Sequence, residues 1–243
     1  MKILAFDTAT SSCSAALWED KKIISFRHLM MSRGHAEHLM TMVQEVLTEA
    51  GVEFSHLDLL AVTIGPGGFT GLRVGIAAAR GISLASDLSC MGVSTLEVVA
   101  NGISFVERDD SYILVAIDSK REDIYAQIFV GKSEGSDLKP LSNSEAILPK
   151  NLAKFLQLSL SDTNSLLKKF FVVGDASKKA IDALRNSGID AVVGTSTSAT
   201  DARGVAVIAA TRWTEGSRGE ALNPLYLRLP DVAIPKNGGQ LRP

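Results

Sequence analysis

The chain has little cysteine: Cys13 and Cys90 are the only two in 243 residues. Two cysteines cannot build a disulfide framework, and there is no C-x-x-C pair to hold a metal. Long apolar runs are also missing. The most hydrophobic stretch, residues 72–85, is interrupted by Arg73 and Arg80 and falls short of a membrane span of about 20 residues. Positive charge is not in excess, since 25 Lys and Arg face 27 Asp and Glu for a formal net charge of -2. A protein that grips nucleic acid by itself shows a basic excess or stripe, so any such partner is expected to be reached through another subunit or a small local patch. The opening MKILAFDTAT places an acid seven residues in and lacks the apolar region of a signal peptide. A cytoplasmic chain that does not contact membranes is the expectation.

What is present is ordinary globular material. Apolar residues make up 46% and charged residues 21%, enough for a sizeable core. Three strand-like runs come first, over 2–8, 12–19 and 22–29, with the Glu19-Asp20-Lys21 break reading as a hairpin. Ser32 is placed to cap a helix over 33–50, whose apolar Leu39, Val43, Val46, Leu47 and Ala50 repeat at helical spacing before Gly51. A strand over 59–64, a helix over 70–86, a strand near 90–93 and a third helix from 94 or 95 follow. Three strands, helix, strand, helix, strand, helix is the order of a ribonuclease-H-like unit. The second half restarts with strands over 112–118 and 124–130, then a polar loop over 131–145 and a helix over 152–160. Strand 170–173, helix 176–186, strand 191–193 and helix 202–215 complete it, and 235–243 reads as a loose tail. Both halves begin with an apolar strand ending in an aspartate, Asp7 or Asp118, which points to a duplicated α/β architecture. With the joint near 107–110, the expected domains are 1–106 and 107–243, the second one smaller.

Each motif carries two readings. The turn Asp7-Thr8-Ala9-Thr10 stands where phosphotransferases of two ribonuclease-H-like halves surround a nucleotide phosphate, but Ala9 replaces the glycine that lets backbone approach phosphate. Asp7, Thr8 and Thr10 are therefore read as a degenerate phosphate turn or as a plain strand-ending cap. The loop Gly65-Pro-Gly-Gly-Phe-Thr-Gly lies between a strand and a helix, a placement that suits an anion. It is neither a P-loop nor a dinucleotide fingerprint. Gly65, Gly67, Gly68 and Thr70 either bind an anion or permit a tight turn with close helix packing. The following helix is apolar over most of its circumference, so burial on more than one side is expected, and Gly71, Gly75 and Ala79 form a small-residue stripe. Met40 and Met42 adjoin the core stripe of the first helix, and methionines suit adaptable surfaces. The two helices together read as a shared face for another protein, with ordinary intrachain core as the alternative. His35 and His38 read as a solvated helix face. Asp118 and Asp175 cap turns or face a cleft between the halves. No Gly-x-Ser-x-Gly elbow occurs.

The segments ILAFDTATSSCSAALWE, GPGGFTGLRVGIAAARGISLA and NPLYLR together resemble the TsaB family. Asp118-Ser-Lys-Arg-Glu-Asp-Ile-Tyr125 looks like that family's Asp-Ala-Arg…Val-Tyr turn, with Ser119 and Lys120 as departures. The resemblance implies an acetate kinase/Hsp70/actin-like fold of two ribonuclease-H-like halves, the second reduced. It implies a part in making N6-threonylcarbamoyladenosine (t6A) in tRNA, beside the paralogue TsaD. TsaD would carry ATP, the metal and the transfer step, so no cofactor is expected on this chain. TsaE joins the larger assembly, and tRNA is met only through the complex. In TsaD a His-x-Glu-Gly-His motif holds the metal; the matching stretch here is Thr95-Leu96-Glu97-Val98-Val99. Valine cannot ligate a metal, which supports a non-catalytic subunit.

Under this reading Met42, Leu72, Arg73, Ile76 and Ala79 are the expected contact residues for TsaD. The same face pairs two copies when TsaD is absent, giving a homodimer. The rivals are an ATP-dependent small-molecule kinase of the same fold, which needs a working phosphate turn, and a glycoprotease-like peptidase, which needs a nucleophile or metal.

Overall fold

A computed structural model describes residues 1–131, 138–161, 169–196, 200–214 and 221–228. The first half runs β1 (Lys2–Asp7), β2 (Ser12–Glu19), β3 (Lys22–Met30), α1 (His35–Ala50), β4 (Leu59–Gly65), α2 (Phe69–Ser86), β5 (Ser89–Ser94), α3 (Thr95–Asn101) and α4 (Phe105–Arg108). The second continues with β6 (Ser111–Asp118), β7 (Ile124–Val130), β8 (Lys139–Pro140), β9 (Glu145–Ile147) and α5 (Leu152–Leu160). It ends with β10 (Lys169–Val173), α6 (Ser177–Arg185), β11 (Val192–Val193) and α7 (Ala202–Arg212).

The run Ile3-Leu4-Ala5-Phe6 is apolar throughout because β1 is covered on both faces. Leu4 and Phe6 join the core under α1 and α2, while Ile3 and Ala5 join the core under α7. The order is β3-β2-β1-β4-β5, with β1 antiparallel to β2 and parallel to β4. Asp20 and Lys21 both take positive φ, 46° and 70°, as a tight hairpin between β2 and β3 requires.

The second sheet repeats this plan. Read β8-β7-β6-β10-β11, with β9 as a sixth strand also paired to β7, its β6 is antiparallel to β7 and parallel to β10. It is the smaller copy, since β8 and β11 have two residues each. Helices α5 and α6 cover one face, and α3 with Leu227 covers the other. Although α7 lies late in the chain, it packs on β1 and β2 of the first sheet.

Several boundaries differ from the sequence expectation. Ser32 does not cap α1; the preceding residue is Gly34 at φ 88°, and the helix starts at His35 without a side-chain cap. The polar stretch 131–145 holds β8 and the start of β9, too short to show periodicity, and residues 132–137 lie outside those described. Residues 107–108 belong to α4, and the Glu107 carboxylate accepts from the Thr195 amide and hydroxyl. Helix α7 stops at Arg212 and Trp213 is extended, so the helix does not continue through 213–214; residue 215 and the expected 235–243 tail lie outside the described residues. No helix among the described residues is long and apolar enough to cross a membrane.

Candidate functional site

Asp7 ends β1 and is fully buried. Its carboxylate accepts from Thr63 Oγ1 at 2.5 Å, Thr200 Oγ1 at 2.6 Å and the Ala9 amide at 3.0 Å. Burial pushes this carboxyl above its ordinary value, against the three donors that favour the charged form. The neighbouring turn is closed as well. Thr8 Oγ1 donates to the Gly71 carbonyl at 2.8 Å, and the Gly68 amide donates to Ala9 O at 2.8 Å. Thr10 Oγ1 lies 3.2 Å from Thr200 Oγ1 and 3.2 Å from Ser12 Oγ. Asp7, Thr8 and Thr10 thus spend their polar atoms inside the chain, as a cap that ties β1 to β4 and to the approach of α7. The sequence shows the acid but not Thr63 or Thr200, because both lie far from it along the chain.

The raised Asp7 carboxyl fixes the sign of a pH effect. A folded-state value above the unfolded one, about 3.9, means the proton is held more tightly in the folded chain. This contribution is fully present below the unfolded value and is lost as pH rises through the folded one. Asp7→Asn keeps the shape and removes the titration. Urea unfolding from pH 4 to 7 should show the variant gaining stability relative to the parent as pH rises. A constant difference across that range would contradict the assignment.

Close packing accounts for Gly67 of the glycine loop and for Gly71 and Gly75 of α2. A side-chain carbon on Gly67 would fall far inside van der Waals contact of Ala9 O, and one on Gly71 would do the same to Thr8 O. At Gly75 it would stand 2.5 Å from Thr8 Oγ1. Gly71 and Gly75 therefore let α2 press on the end of β1. Gly65, at φ 111°, faces the Leu225 carbonyl, and Thr70 is exposed on the first turn of α2.

Around this turn a cleft of about 890 Å³ opens between the halves. It is lined by Thr10, Arg33, His35, Phe69, Thr70, Asp118, Lys120, Asp175, Tyr226 and Arg228 among others. Asp118 and Asp175 both cap and face the cleft: the Asp118 amide donates to Asp175 Oδ1 at 2.7 Å, and the Lys120 amide to Asp118 Oδ1 at 2.9 Å. Burial raises the Asp175 carboxyl; Asp118 is also partly desolvated, but hydrogen bonds from Lys120 hold it below the usual range. His35 Nε2 lies 3.3 Å from Thr10 O, whereas His38 is exposed, so the two histidines part. In α3, Thr95 and Val99 are buried, and Glu97 pairs with Arg212. These three do not form a donor set for a metal. Cys13 is fully buried, and burial pushes its thiol up to about 11, the opposite of what an activated nucleophile needs.

The expected contact face needs correction. Met42, Leu72, Ile76 and Ala79 are 8%, 1%, 4% and 0% exposed and belong to the chain's own core or its edge. Their spacing marks the inner stripe of an amphipathic helix, which periodicity alone cannot tell from a partner stripe. Arg73 does face outward. Its guanidinium lies 3.5 Å from the centre of the Phe69 ring, and Nε donates to Tyr226 Oη at 3.0 Å. Arg80 reaches the Leu222 carbonyl at 2.6 Å. Helix α2 is also not buried on more than one side: Phe69 is 50% exposed and Leu84 89%, with Ala77 and Ala85 exposed between and beyond them. Met40, on the adjacent α1, is 46% exposed.

Two sheets of order 3-2-1-4-5, joined across a cleft at the carboxyl ends of their first strands, define an α/β protein of the acetate kinase/Hsp70/actin-like class with a reduced second half. The model of the TsaD family, tRNA N6-adenosine threonylcarbamoyltransferase, matches residues 29–208. The tRNA threonylcarbamoyladenosine biosynthesis protein TsaB of Escherichia coli (strain K12) is 40% identical over 125 residues, 51% of this chain and 53% of that protein. The match therefore spans about half of that relative's length. TsaB of Buchnera aphidicola subsp. Baizongia pistaciae (strain Bp) is 30% identical over 178 residues, 73% of this chain and 76% of the other. The chain belongs to this threonylcarbamoyltransferase family and, within it, to the TsaB group. In fold it is similar to a crystal structure from Pseudomonas aeruginosa, described as an uncharacterized protein with similarity to peptidase YEAZ. That likeness has a TM-score of 0.72 at 24% identity, covering 93% of this chain and 99% of the other.

Proposed function

We propose that this chain is a non-catalytic subunit of the machinery that forms N6-threonylcarbamoyladenosine in tRNA, and that it binds and supports TsaD. The supporting observation is the outward face of α1 and α2. Met40, Phe69 and Leu84 stand open to solvent on neighbouring helices, with Arg73 and Arg80 as polar neighbours. Exposed apolar residues gathered on one face mark an interaction surface, and interfaces rest on a central apolar cluster with Arg enriched. ATP, metal and TsaE belong on the partner's side of this assembly, and the chain works in the cytoplasm. The closed turn at Asp7 argues for the same division of labour, because the Gly68 amide that a kinase would offer to phosphate already serves Ala9 O.

Leu84→Asp tests the face. Leu84 is 89% exposed, so the change should move stability by less than about 0.5 kcal/mol. Capture of purified TsaD should weaken by about 2 kcal/mol, roughly thirtyfold. Unimpaired capture of TsaD by the folded variant counts against this face, and tight calorimetric binding of ATP and magnesium by the chain alone counts against the non-catalytic role.

A further inference from the structure

A second surface lies on the far flank of α1. We propose that the free edge of β3 and the outer flank of α1 form a docking groove for an extended, cationic peptide segment of another protein, which would pair with β3 as a sixth strand. Strand β3 ends the first sheet, with β2 on its inner side and no neighbour beyond it among the described residues. An edge strand presents a row of unpaired N–H and C=O groups, and proteins usually blunt such edges with proline, bulges, charged side chains or a covering element; β3 carries two charges, Lys22 and Arg27. Here nine residues, KIISFRHLM, contain no proline, and the one register shift of the β2–β3 pair falls near the hairpin at Leu17/Trp18. Ile24, Leu29 and Met30 remain 43%, 42% and 63% exposed along it.

A shallow groove of about 640 Å³ lies on the exposed side of α1, bordered by Met40, Thr41, Gln44, Glu45, Thr48 and Glu49, with Arg27 as its one residue from β3. Helix α1 packs over β2 and β3, so a strand added beyond β3 would lie next to its Glu45 and Glu49 flank; in strand addition main-chain bonds supply affinity and alternate side chains supply specificity.

Charge selects the occupant. Among the described residues Arg27 is the only cation bordering the groove, and it meets two carboxylates: Nε lies 3.1 Å from Glu45 and Nη1 2.6 Å from Glu49. Those carboxylate side chains are 51% and 49% exposed, so they keep open sides for a second cation. A segment alternating apolar and Lys or Arg residues fits, whereas an acidic one meets like charge. Because α1 packs on β2 and β3 while α2 packs on β4, this edge lies on the opposite side of α1 from α2. The groove shares only the exposed Met40 with the face proposed for TsaD.

The test uses the full chain and two capped hexapeptides, alternating Val-Lys and alternating Val-Glu. The lysine peptide is expected to bind and to slow amide exchange within residues 22–30, while the glutamate peptide does not bind. Glu45→Gln with Glu49→Gln removes the attraction without reversing it and should weaken the lysine peptide about tenfold. Three results overturn the proposal: no binding of the lysine peptide, binding without protection of 22–30, or equal binding of both peptides. Undiminished affinity in the folded double variant overturns the charge selection and with it the stated occupant.

Discussion

Ile76→Arg should fail to fold. Ile76 is 4% exposed and sits among Leu4, Phe6, Val43, Val62 and other residues of the core between α1, α2 and the first sheet. A guanidinium placed in this apolar cluster loses its water, and a buried charge without a partner costs on the order of 5 kcal/mol. That is comparable with the whole stability of a domain, about 5–15 kcal/mol. The expected outcome is insoluble protein, or a chain without a cooperative thermal transition, instead of a folded monomer that has merely lost its partner. A soluble Ile76→Arg chain with native circular dichroism would falsify the burial assigned to this face. Set beside Leu84→Asp, the experiment separates the two sides of one helix: the inner side holds the chain together and the outer side is free to hold something else.

The second large effect is a pair of opposite signs within α2. Gly71→Ala adds one carbon directly against the Thr8 carbonyl, a backbone atom that cannot rotate away. Alanine gains about 1 kcal/mol in helix propensity. Forcing α2 off the end of β1 costs more, since overpacking typically costs about 1–3 kcal/mol and here also strains the bond from Thr8 Oγ1 to the Gly71 carbonyl. A net loss of about 1–2 kcal/mol is expected, lowering Tm by roughly 2–8 °C for a chain of this size. Gly81→Ala, ten residues along the same helix, meets nothing within 4 Å. It should stabilise by about 0.5–1 kcal/mol, because alanine loses less backbone entropy on folding. Differential scanning calorimetry of the two variants decides the matter. If both rise in Tm, the glycines of α2 are not there for close packing, and the loop regains a claim to bind an anion.

These contrasts show how the fold was legible. Periodicity and turn residues suffice for β1 through β5 and for α2, where element ends fall within about two residues of expectation. Asp20, Lys21 and Gly51 take the left-handed conformations that their positions demand. Such signals are local, so a linear reading captures them. Signals that failed were either too short or required a distant partner. The two-residue β8 has no period, and Ser32 looks like a cap until the φ of Gly34 fixes the start of α1 at His35. Tyr226 belongs to the quoted NPLYLR segment, but its place against Phe69 and Arg73 emerges only when the chain returns to α2.

The amino-acid order by itself determined the duplicated α/β plan and the residue types in its turns, because these depend on composition and near spacing; that Thr95 and Val99 stand where histidines hold a metal is what the resemblance to the TsaB family and its paralogue implies. Tertiary structure alone decided which stripe of α2 points outward, and that Asp7 is consumed by Thr63 and Thr200. The physical reason is the same in both cases. An apolar helix face and a buried carboxylate are defined by what lies across from them, and those neighbours are brought in by sheet pairing and helix packing from far along the chain.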